Sequence, residues 1–247
     1  MKLTGKIALV TGGSRGIGLA TAKILSENGA IVAITAKDKD RLENAVKGIP
    51  NAIGIAANIR NSKDVKNVVN KIIEKFGKLD ILVNNAGIFP KIKQLHEIDE
   101  DEWNEVLDVN LTGQYRFTKE AIPYLQKTSG SIINISSDAG IKAYQGFNAD
   151  AYSASKAALI LLTKCWALEY SKDKIRVNCI CPGVVDTDMT KPFLKSEKDK
   201  EFMNSEHPIG RIGQPSEIGK AVLYFASDDA SWTTGAILTV DGGESIK

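Results

Sequence analysis

Seven short runs rich in isoleucine and valine recur along the chain, separated by segments with helical periodicity. Each run is hydrophobic almost throughout rather than at every second residue, which indicates strands buried on both faces of a parallel sheet. Parallel strands need long crossover connections, and the intervening segments are long enough to provide them. The predicted strands span residues 6–12, 30–36, 53–59, 79–85, 131–137, 176–182 and 237–243.

The segments between these strands supply five predicted helices, whose apolar residues recur at spacings of three and four. Alternation of strand and helix predicts an α/β protein with one domain over residues 1–247. The expected architecture is a doubly wound Rossmann-type fold, with a seven-stranded parallel sheet flanked by helices. A polar segment at about 186–213 is too long for an ordinary connection and predicts a substrate-binding loop. The predicted helices span residues 17–28, 62–76, 102–124, 152–171 and 215–226.

Charge and hydropathy argue against several classes of protein. The 32 basic and 30 acidic side chains are dispersed and give a net charge of +2, so no extended nucleic-acid surface is predicted. No run approaches the roughly 20 apolar residues of a membrane span. No signal-peptide cleavage region follows the first apolar run. We therefore expect a soluble cytoplasmic protein without a membrane partner.

The cysteines and histidines indicate neither disulfides nor a metal site. The three cysteines lack a CxxC spacing, which favours a reducing compartment. Cys179 and Cys181 lie two apart in a predicted strand and share one face, where packing is the expected role. The two histidines, His96 and His207, lie far apart without companion ligands, so we predict no metal and assign them to surface or loop packing.

The first predicted strand runs directly into the glycine-rich sequence TGGSRGIG at residues 11–18. Glycines at such a turn let backbone N–H groups and the helix N-terminus approach a pyrophosphate. The alternative is a tight strand-to-helix connection, which the position in the first βαβ unit makes less favoured. The residues predicted to bind a dinucleotide here are Gly12, Ser14, Arg15, Gly16, Ile17 and Gly18.

The end of the second predicted strand bears on the choice of cofactor. NAD-preferring sites usually place an acidic side chain there to bind the ribose 2′-hydroxyl, and this chain has none at residues 35–37, although Asp38 follows. Lys37 and Arg15 are two cations that can hold a 2′-phosphate. The alternative is that both are ordinary solvated surface charges. NADP(H) is therefore favoured, with NAD(H) as the alternative.

A tyrosine followed four residues later by a lysine places both side chains on one helix face, where the ammonium can sit beside the phenol. Three such pairs occur, at residues 115 and 119, 152 and 156, and 170 and 174. Only Tyr152 opens a predicted helix shortly after a strand ending in serines, at the edge where doubly wound sheets bind ligands. The sequence therefore predicts Tyr152 with Lys156 as the reactive pair.

These residues belong to an ordered set of motifs. The set comprises TGGSRGIG at 11–18, NNAG at 84–87, Asn110, Ser137, Tyr152 with Lys156, the Pro-Gly pair at 182 and 183 with Thr187, and TVDGG at 239–243. In this order it closely resembles the short-chain dehydrogenase/reductase family over essentially the whole chain. The resemblance implies a nicotinamide-dependent oxidoreductase that interconverts a carbonyl and an alcohol.

The resemblance also implies a role for each catalytic residue. Tyr152 would exchange a proton with the substrate oxygen, while Lys156 and the oxidised nicotinamide ring favour its phenolate. Ser137 would hydrogen-bond the substrate oxygen, unless it is a strand-end serine bonded to its own backbone. Asn110, within an otherwise regular predicted helix, would hold a water that connects Lys156 to solvent.

Further cofactor contacts follow from the same resemblance. Asn85, Ala86 and Gly87 would border the adenosine, and Thr187 would contact the carboxamide. The other implied contacts are Asn58, Ile59, Tyr152, Lys156, Pro182, Gly183 and Val185. The chain departs from the family pattern at Asn58, where an aspartate is common, and between residues 137 and 152, where the segment is about two residues longer. Candidate pocket residues, which could equally be core, are Phe89, Phe147, Val184, Phe193 and Met203.

Three functions remain open. The run from RIGQPSEIG to TGAILTVDGG is most similar to 3-oxoacyl-acyl-carrier-protein reductases, which implies reduction of a 3-oxoacyl thioester, carried by acyl carrier protein or CoA, with NADPH. A sugar, polyol or other alcohol dehydrogenase shares every motif. A non-catalytic nucleotide-binding redox sensor is disfavoured, because it has no chemical reason to keep the four catalytic residues. The resemblance also implies a homotetramer that pairs the helices containing Asn110 and Tyr152.

Overall fold

The computed structural model describes all residues from Met1 to Lys247. Seven parallel strands form one sheet at its centre: β1 (Ile7–Thr11), β2 (Ile31–Ala36), β3 (Ala52–Ala56), β4 (Ile81–Asn84), β5 (Ser131–Ile135), β6 (Arg176–Pro182) and β7 (Ile237–Val240). The strand order is β3-β2-β1-β4-β5-β6-β7, so the chain winds outward from β1 in both directions. The predicted doubly wound parallel sheet is confirmed. Its switch point lies between β1 and β4, where such sheets form a ligand crevice.

Eight α-helices connect the strands: α1 (Gly16–Glu27), α2 (Lys39–Lys47), α3 (Ser62–Phe76), α4 (Glu100–Leu107), α5 (Gly113–Thr128), α6 (Asp150–Glu169), α7 (Glu197–Glu206) and α8 (Pro215–Ala226). One apolar core packs α1, α2 and α8 against the sheet, and a second packs α3, α5 and α6 against the other face. The sheet is therefore covered on both faces, as the continuous hydrophobicity of its strands requires. None of the helices combines the length and apolar composition that a membrane crossing needs.

Two helices were not predicted, because neither has a long apolar stripe. The nine residues of α2 bury only Leu42 and Ala45, and α2 is capped by Asp38, whose side chain accepts from the backbone N–H of Arg41 at 3.0 Å. Helix α7 buries no residue and begins with a capping box between Ser196 and Asp199. Since α7 lies inside residues 186–213, the segment predicted as a loop is partly helical.

The predicted helix at 102–124 is interrupted. Helices α4 and α5 are joined by a single π-helical turn, Asp108–Thr112. Asn110 was expected in a regular helix and lies in this turn instead. A π-turn inserts one residue into the helical repeat, and spacings of three and four do not reveal it. The turn is followed by a close approach: a Cβ on Gly113 would lie 2.4 Å from Cγ1 of Ile59.

Candidate functional site

A cleft of about 410 Å³ opens at the carboxyl edge of the sheet and extends across the switch point. Its volume is within the range of small-molecule and cofactor sites. It gathers every predicted catalytic and cofactor-binding residue except Asn110, which lies behind its wall, but none of the five candidate pocket residues lines it. The predicted residues that line it are Gly12, Ser14, Arg15, Gly16, Ile17, Gly18, Lys37, Asn58, Ile59, Asn85, Ala86, Gly87, Ser137, Tyr152, Lys156, Pro182, Gly183, Val185 and Thr187.

Two glycines of the loop after β1 are required by packing inside the protein. A Cβ on Gly12 would lie 2.8 Å from Cα of Ala86, and one on Gly18 would lie 2.4 Å from the Gly12 oxygen. The loop and the turn after β4 are also tied together, since Asn85 Nδ2 donates to the Thr11 oxygen at 2.8 Å. The sequence analysis explained these glycines only by the approach of a ligand. At these two positions, packing inside the protein also requires glycine.

The N-terminus of α1 remains available to an anion. Arg15 is its N-cap residue but its side chain makes no capping hydrogen bond, and the first turn holds no acidic residue. Gly16 has a φ of +53°, and a Cβ there would meet Cγ2 of Thr187 across the cleft at 3.3 Å. Uncapped N–H groups at a helix N-terminus bind phosphate oxygens. The residues present therefore fit the pyrophosphate of a dinucleotide.

Three cations surround the end of β2. Arg15 and Arg41 both approach one carboxylate oxygen of Asp188, at 3.7 Å and 3.9 Å. Lys37 lines the same cleft and forms no ion pair. The Asp38 carboxylate caps α2 and lies 3.9 Å from the Arg41 side chain. Arg41 was missed from the sequence because α2 was not predicted, and its spacing of four from Lys37 was the available signal.

Tyr152 and Lys156 lie one turn apart on α6, with the Lys156 Nζ atom 5.6 Å from the centre of the phenol ring. Nζ donates to the Ile135 carbonyl oxygen at 2.9 Å. Burial lowers the pKa of Lys156 to about 8, and burial raises the pKa of Tyr152 to about 12, against the opposing effect of the Ser137 hydroxyl. The protein by itself therefore does not favour the phenolate, because desolvation of the phenolate outweighs the Ser137 hydrogen bond that would stabilise it.

Asn110 acts on the backbone of the turn after β4. Its Oδ1 atom accepts from the Ile88 N–H at 2.8 Å, and its Nδ2 atom donates to the Ile88 oxygen at 2.9 Å. A Cβ on Gly87 would lie 3.3 Å from Asn110 Oδ1 and 3.7 Å from Lys156 Nζ, so the two side chains face one point. Asn110 therefore positions the wall of the cleft next to Lys156.

Ser137 follows β5 and is buried beside Tyr152. Its hydroxyl donates to Oδ1 of Asp138 at 2.9 Å and accepts from the Ala139 N–H at 3.2 Å. The local backbone bond considered as the alternative role is therefore present. Asp138 was not singled out from the sequence, and its only signal was a charged residue directly after a buried strand.

Comparison with known proteins identifies the family. A protein-family model described as Enoyl-(Acyl carrier protein) reductase matches residues 12–245. The chain is 39% identical over 248 residues to a 3-oxoacyl-[acyl-carrier-protein] reductase of Thermotoga maritima, covering 98% of this chain and 99% of the relative. It is 36% identical to an L-fucose dehydrogenase of Bos taurus, covering 99% and 91%. The chain belongs to the short-chain dehydrogenase/reductase family.

A solved structure supports the same assignment. The aldohexose dehydrogenase of Thermoplasma acidophilum, in ligand-free form, superposes with a TM-score of 0.90 at 36% identity, covering 99% of this chain and 96% of that one. The predicted family resemblance is confirmed. This short-chain dehydrogenase/reductase is an oxidoreductase, and its dinucleotide is NAD(H) or NADP(H).

Three phenylalanines form an aromatic cluster next to Tyr152 in this short-chain dehydrogenase/reductase, outside the lining of the cleft. The Phe89 ring lies 4.9 Å from the Tyr152 ring, centre to centre, and contacts Phe147 at 5.5 Å and Phe193 at 5.4 Å. They come from three separate segments, after β4, before α6 and before α7. Phe89 and Phe147 pack against Tyr152, which is only 9% exposed, and Phe193 packs against Phe89.

Proposed function

We propose that the protein is an NADP(H)-dependent carbonyl reductase, in which Tyr152 is the proton donor. The observation that carries this proposal is the buried phenol of Tyr152, placed in the cleft beside Lys156 and Ser137. Because its pKa is raised to about 12, the phenol is protonated at neutral pH. A protonated phenol is the form that a carbonyl reduction requires.

The residues divide the work between binding and proton transfer. The glycine loop at 11–18 and the turn at 85–87 would hold the dinucleotide, which when bound supplies the hydride. Tyr152 then donates its proton to the oxygen of the reduced carbonyl. Lys156 stabilises the negative charge left on Tyr152, and Asn110 fixes the turn that keeps Lys156 in place. Ser137 binds the substrate oxygen within reach of the phenol.

The preferred substrate is a 3-oxoacyl thioester carried by CoA or acyl carrier protein. The cluster of Phe89, Phe147 and Phe193 next to Tyr152 would offer an apolar surface to an acyl chain. Relatives named as 3-oxoacyl-[acyl-carrier-protein] reductases recur at 38–39% identity. A sugar or polyol is the second candidate, because Asp138 and Tyr144 place polar atoms beside Ser137 that can bind hydroxyl groups. The aldohexose and L-fucose dehydrogenases are similar at 36% identity.

The preferred dinucleotide is NADP(H). Lys37, Arg41 and Arg15 converge on the end of β2, where the adenosine ribose of a dinucleotide bound in this cleft would lie. Lys37 has no carboxylate partner, so its charge is free for a 2′-phosphate, whereas Arg15 and Arg41 are already shared with Asp188. Charge-assisted hydrogen bonds to phosphate are stronger than neutral ones.

The proposed assembly is a homotetramer that uses α5 and α6. These helices expose Tyr115, Leu161 and Leu168, the last with 79% of its surface accessible. Trp232, outside these helices, is 99% exposed. Large apolar side chains exposed in separate parts of the chain suit an assembly with two kinds of interface. Light scattering of the purified protein should give four times 26.7 kDa, and a monomer at micromolar concentration would contradict it.

A substrate panel tests the proposed function. Acetoacetyl-CoA, L-fucose and D-glucose should be assayed with both nicotinamide cofactors, in reduction for the thioester and in oxidation for the sugars. We expect acetoacetyl-CoA with NADPH to give the highest kcat/KM. A higher kcat/KM for either sugar would identify a sugar as the preferred substrate instead. Tight NADPH binding with no turnover of any carbonyl would favour the redox-sensor alternative.

A further inference from the structure

A buried carboxyl group lies directly beside Ser137. Asp138 is 7% exposed, and Oδ1 accepts from the Ser137 hydroxyl at 2.9 Å and from the Ala139 N–H at 2.8 Å. Its other oxygen accepts from the Tyr144 hydroxyl at 2.7 Å. All three partners are neutral groups. A buried carboxylate held in this way has a marked cost of desolvation, which protonation removes.

The contacts of Ser137 leave it one free hydrogen-bonding position. A serine hydroxyl has one proton and two acceptor lone pairs. Asp138 takes the proton, and the Ala139 N–H takes one lone pair. While Asp138 is ionised, Ser137 therefore meets a substrate as an acceptor. An alcohol can donate to that acceptor, but a carbonyl oxygen needs a donor.

We propose that Asp138 is a positioning residue whose protonation switches Ser137 from accepting a hydrogen bond from an alcohol to donating one to a carbonyl. A neutral carboxyl group is a weaker acceptor than a carboxylate, so protonation releases the serine proton toward the substrate. The inference rests on the proposed role of Ser137 in binding the substrate oxygen. It makes carbonyl reduction depend on a group other than Tyr152.

Asp138 has a second carboxyl group, Glu244, as its neighbour, and of the two it is Asp138 that takes up a proton more readily. Burial and the negative charge of Glu244 raise the pKa of Asp138 to about 6, against the lowering effect of the Tyr144 hydrogen bond. Glu244 itself stays ionised, because its Oε2 lies 3.0 Å from Nε2 of His207 and this lowers its pKa. His207 Nδ1 lies 2.7 Å from the Met203 oxygen, so an imidazolium satisfies both neighbours.

Other titratable groups face Asp138 from several elements. Burial raises the pKa of Tyr152 to about 12, and the pKa of Cys181 is raised mainly by its neighbour Cys179. Asp241 has a lowered pKa and stays ionised, and Lys142 lies over the Tyr144 ring at 5.3 Å. The pKa of Lys156 is about 8, above the window of interest. The pKa of His207 is raised by Glu244. A change in kcat/KM near pH 6 is therefore assigned to Asp138 only if it disappears when Asp138 is replaced.

The first experiment compares pH profiles of the wild-type enzyme and Asp138→Asn, with acetoacetyl-CoA and NADPH in reduction and 3-hydroxybutyryl-CoA and NADP⁺ in oxidation. For the wild type, kcat/KM for reduction should rise about 3- to 10-fold as the pH falls through about 6, the size expected for one hydrogen bond. Asp138→Asn carries a neutral side chain of the same shape and should be flat in this window. At pH above 7 it should reduce acetoacetyl-CoA faster than the wild type.

Two further variants shift the step in opposite directions. Tyr144→Phe removes a donor that stabilises the carboxylate, so the midpoint should rise, whereas Glu244→Gln removes a nearby negative charge, so the midpoint should fall. Tyr124→Phe, on α5 away from the cleft, is the matched control and should leave the step in place. The infrared band of a protonated carboxylic acid should follow the same midpoints in the absence of any substrate, and should be missing in Asp138→Asn.

The outcomes separate the two proposals. If the wild type has no carbonyl turnover, the proposed function is wrong. If Ser137→Ala is fully active, Ser137 does not bind the substrate oxygen, and the inference about Asp138 is wrong. If Ser137→Ala is inactive while Asp138→Asn keeps the wild-type step, the role of Asp138 is wrong and the proposed function stands. Should Asp138→Asn fail to fold, Tyr144→Phe and Glu244→Gln decide: midpoints that do not separate would overturn the inference.

Discussion

The Lys156 ammonium lies 5.6 Å from the centre of the Tyr152 ring. Of the three Tyr-Lys pairs in the chain, this is the one that lines the cleft. In the other two pairs the tyrosine lies outside the cleft. Tyr115 is 46% exposed on α5, and Tyr170 follows the last residue of α6. The same spacing of four therefore places one phenol at a site and two elsewhere, and the preceding serine-bearing strand distinguishes them.

The three pairs provide an internally controlled test of the proton donor. Tyr152→Phe retains the ring and its contacts with Phe89 but removes the hydroxyl, so kcat for carbonyl reduction should fall by roughly 10² to 10⁴. Tyr115→Phe and Tyr170→Phe make the same change outside the cleft and should keep near-normal turnover. Steady-state kinetics on the three folded variants decides, and comparable losses in either control would refute the assignment.

The hydrophobic pattern of the sequence was sufficient to predict the sheet, but it was insufficient to predict the polar helices and side chains around the site. The inner strands are continuously apolar and buried, and the longest helices bury apolar residues at helical spacing, which is what the sequence displays, whereas the edge strand β7 buries none of its four residues. Helix α2 buries two residues and carries Arg41, so the cation was missed together with its helix. The π-turn at Asn110 is followed by a close approach of Gly113 to Ile59, a contact between residues far apart in sequence that helical periodicity does not display. The raised pKa of Asp138 depends in part on the negative charge of Glu244, which lies more than a hundred residues away in sequence.

Cofactor preference should depend on Lys37 more than on either arginine. Lys37→Ala should raise KM for NADPH while leaving KM for NADH nearly unchanged, by an amount equivalent to about 1.5 to 3 kcal/mol for a hydrogen bond to a charged group. Arg41→Ala should have a smaller effect in the same direction, because its guanidinium is shared with Asp188. Equal changes for both cofactors would count against a 2′-phosphate site at this position.

Asp188 supplies a test with the opposite sign. Its carboxylate lies between Arg15 and Arg41, where it competes with a phosphate for their charges. Asp188→Asn should therefore lower KM for NADPH and leave KM for NADH unchanged. Exposed ion pairs contribute about 0.2 to 1 kcal/mol, so the expected change is up to about fivefold. An increase in KM for NADPH would show that Asp188 supports the site instead of competing for it.

The amide of Asn110 should contribute to stability through the Ile88 backbone. Asn110→Ala leaves the partly buried Ile88 N–H and carbonyl without these partners, at a cost of about 0.5 to 1.5 kcal/mol for each lost hydrogen bond. Thermal unfolding should occur at a lower temperature, and the Ile88 amide should exchange its hydrogen faster. Asn104→Ala, on the exposed face of α4, is the matched control and should change neither measurement.

The ion pair of His207 and Glu244 should make stability depend on pH. The folded-state pKa of His207 is raised above its ordinary 6.5, mainly by its hydrogen bond with Glu244. A raised pKa in the folded state adds stability that is fully present below the unfolded pKa and is lost as the pH rises through the folded value. His207→Asn should lose this contribution, so its deficit in the free energy of unfolding should shrink as the pH rises above the unfolded value. A deficit that does not change with pH would indicate lost packing alone.

Asp138 should act on stability with its own sign. Its pKa rises from an ordinary 3.8 in the unfolded chain to about 6 in the folded protein, so the folded state binds the proton more tightly. The wild type therefore loses stability as the pH rises from about 4 to about 6, by about 3 kcal/mol in total. Asp138→Asn carries no charge and avoids that loss. Urea unfolding should show the smallest advantage for the variant near pH 4 and the largest above pH 6, growing by about that amount. If the difference between the two proteins were constant over this range, the pKa of Asp138 would be the same in the folded and unfolded states, and the inferred increase would be wrong.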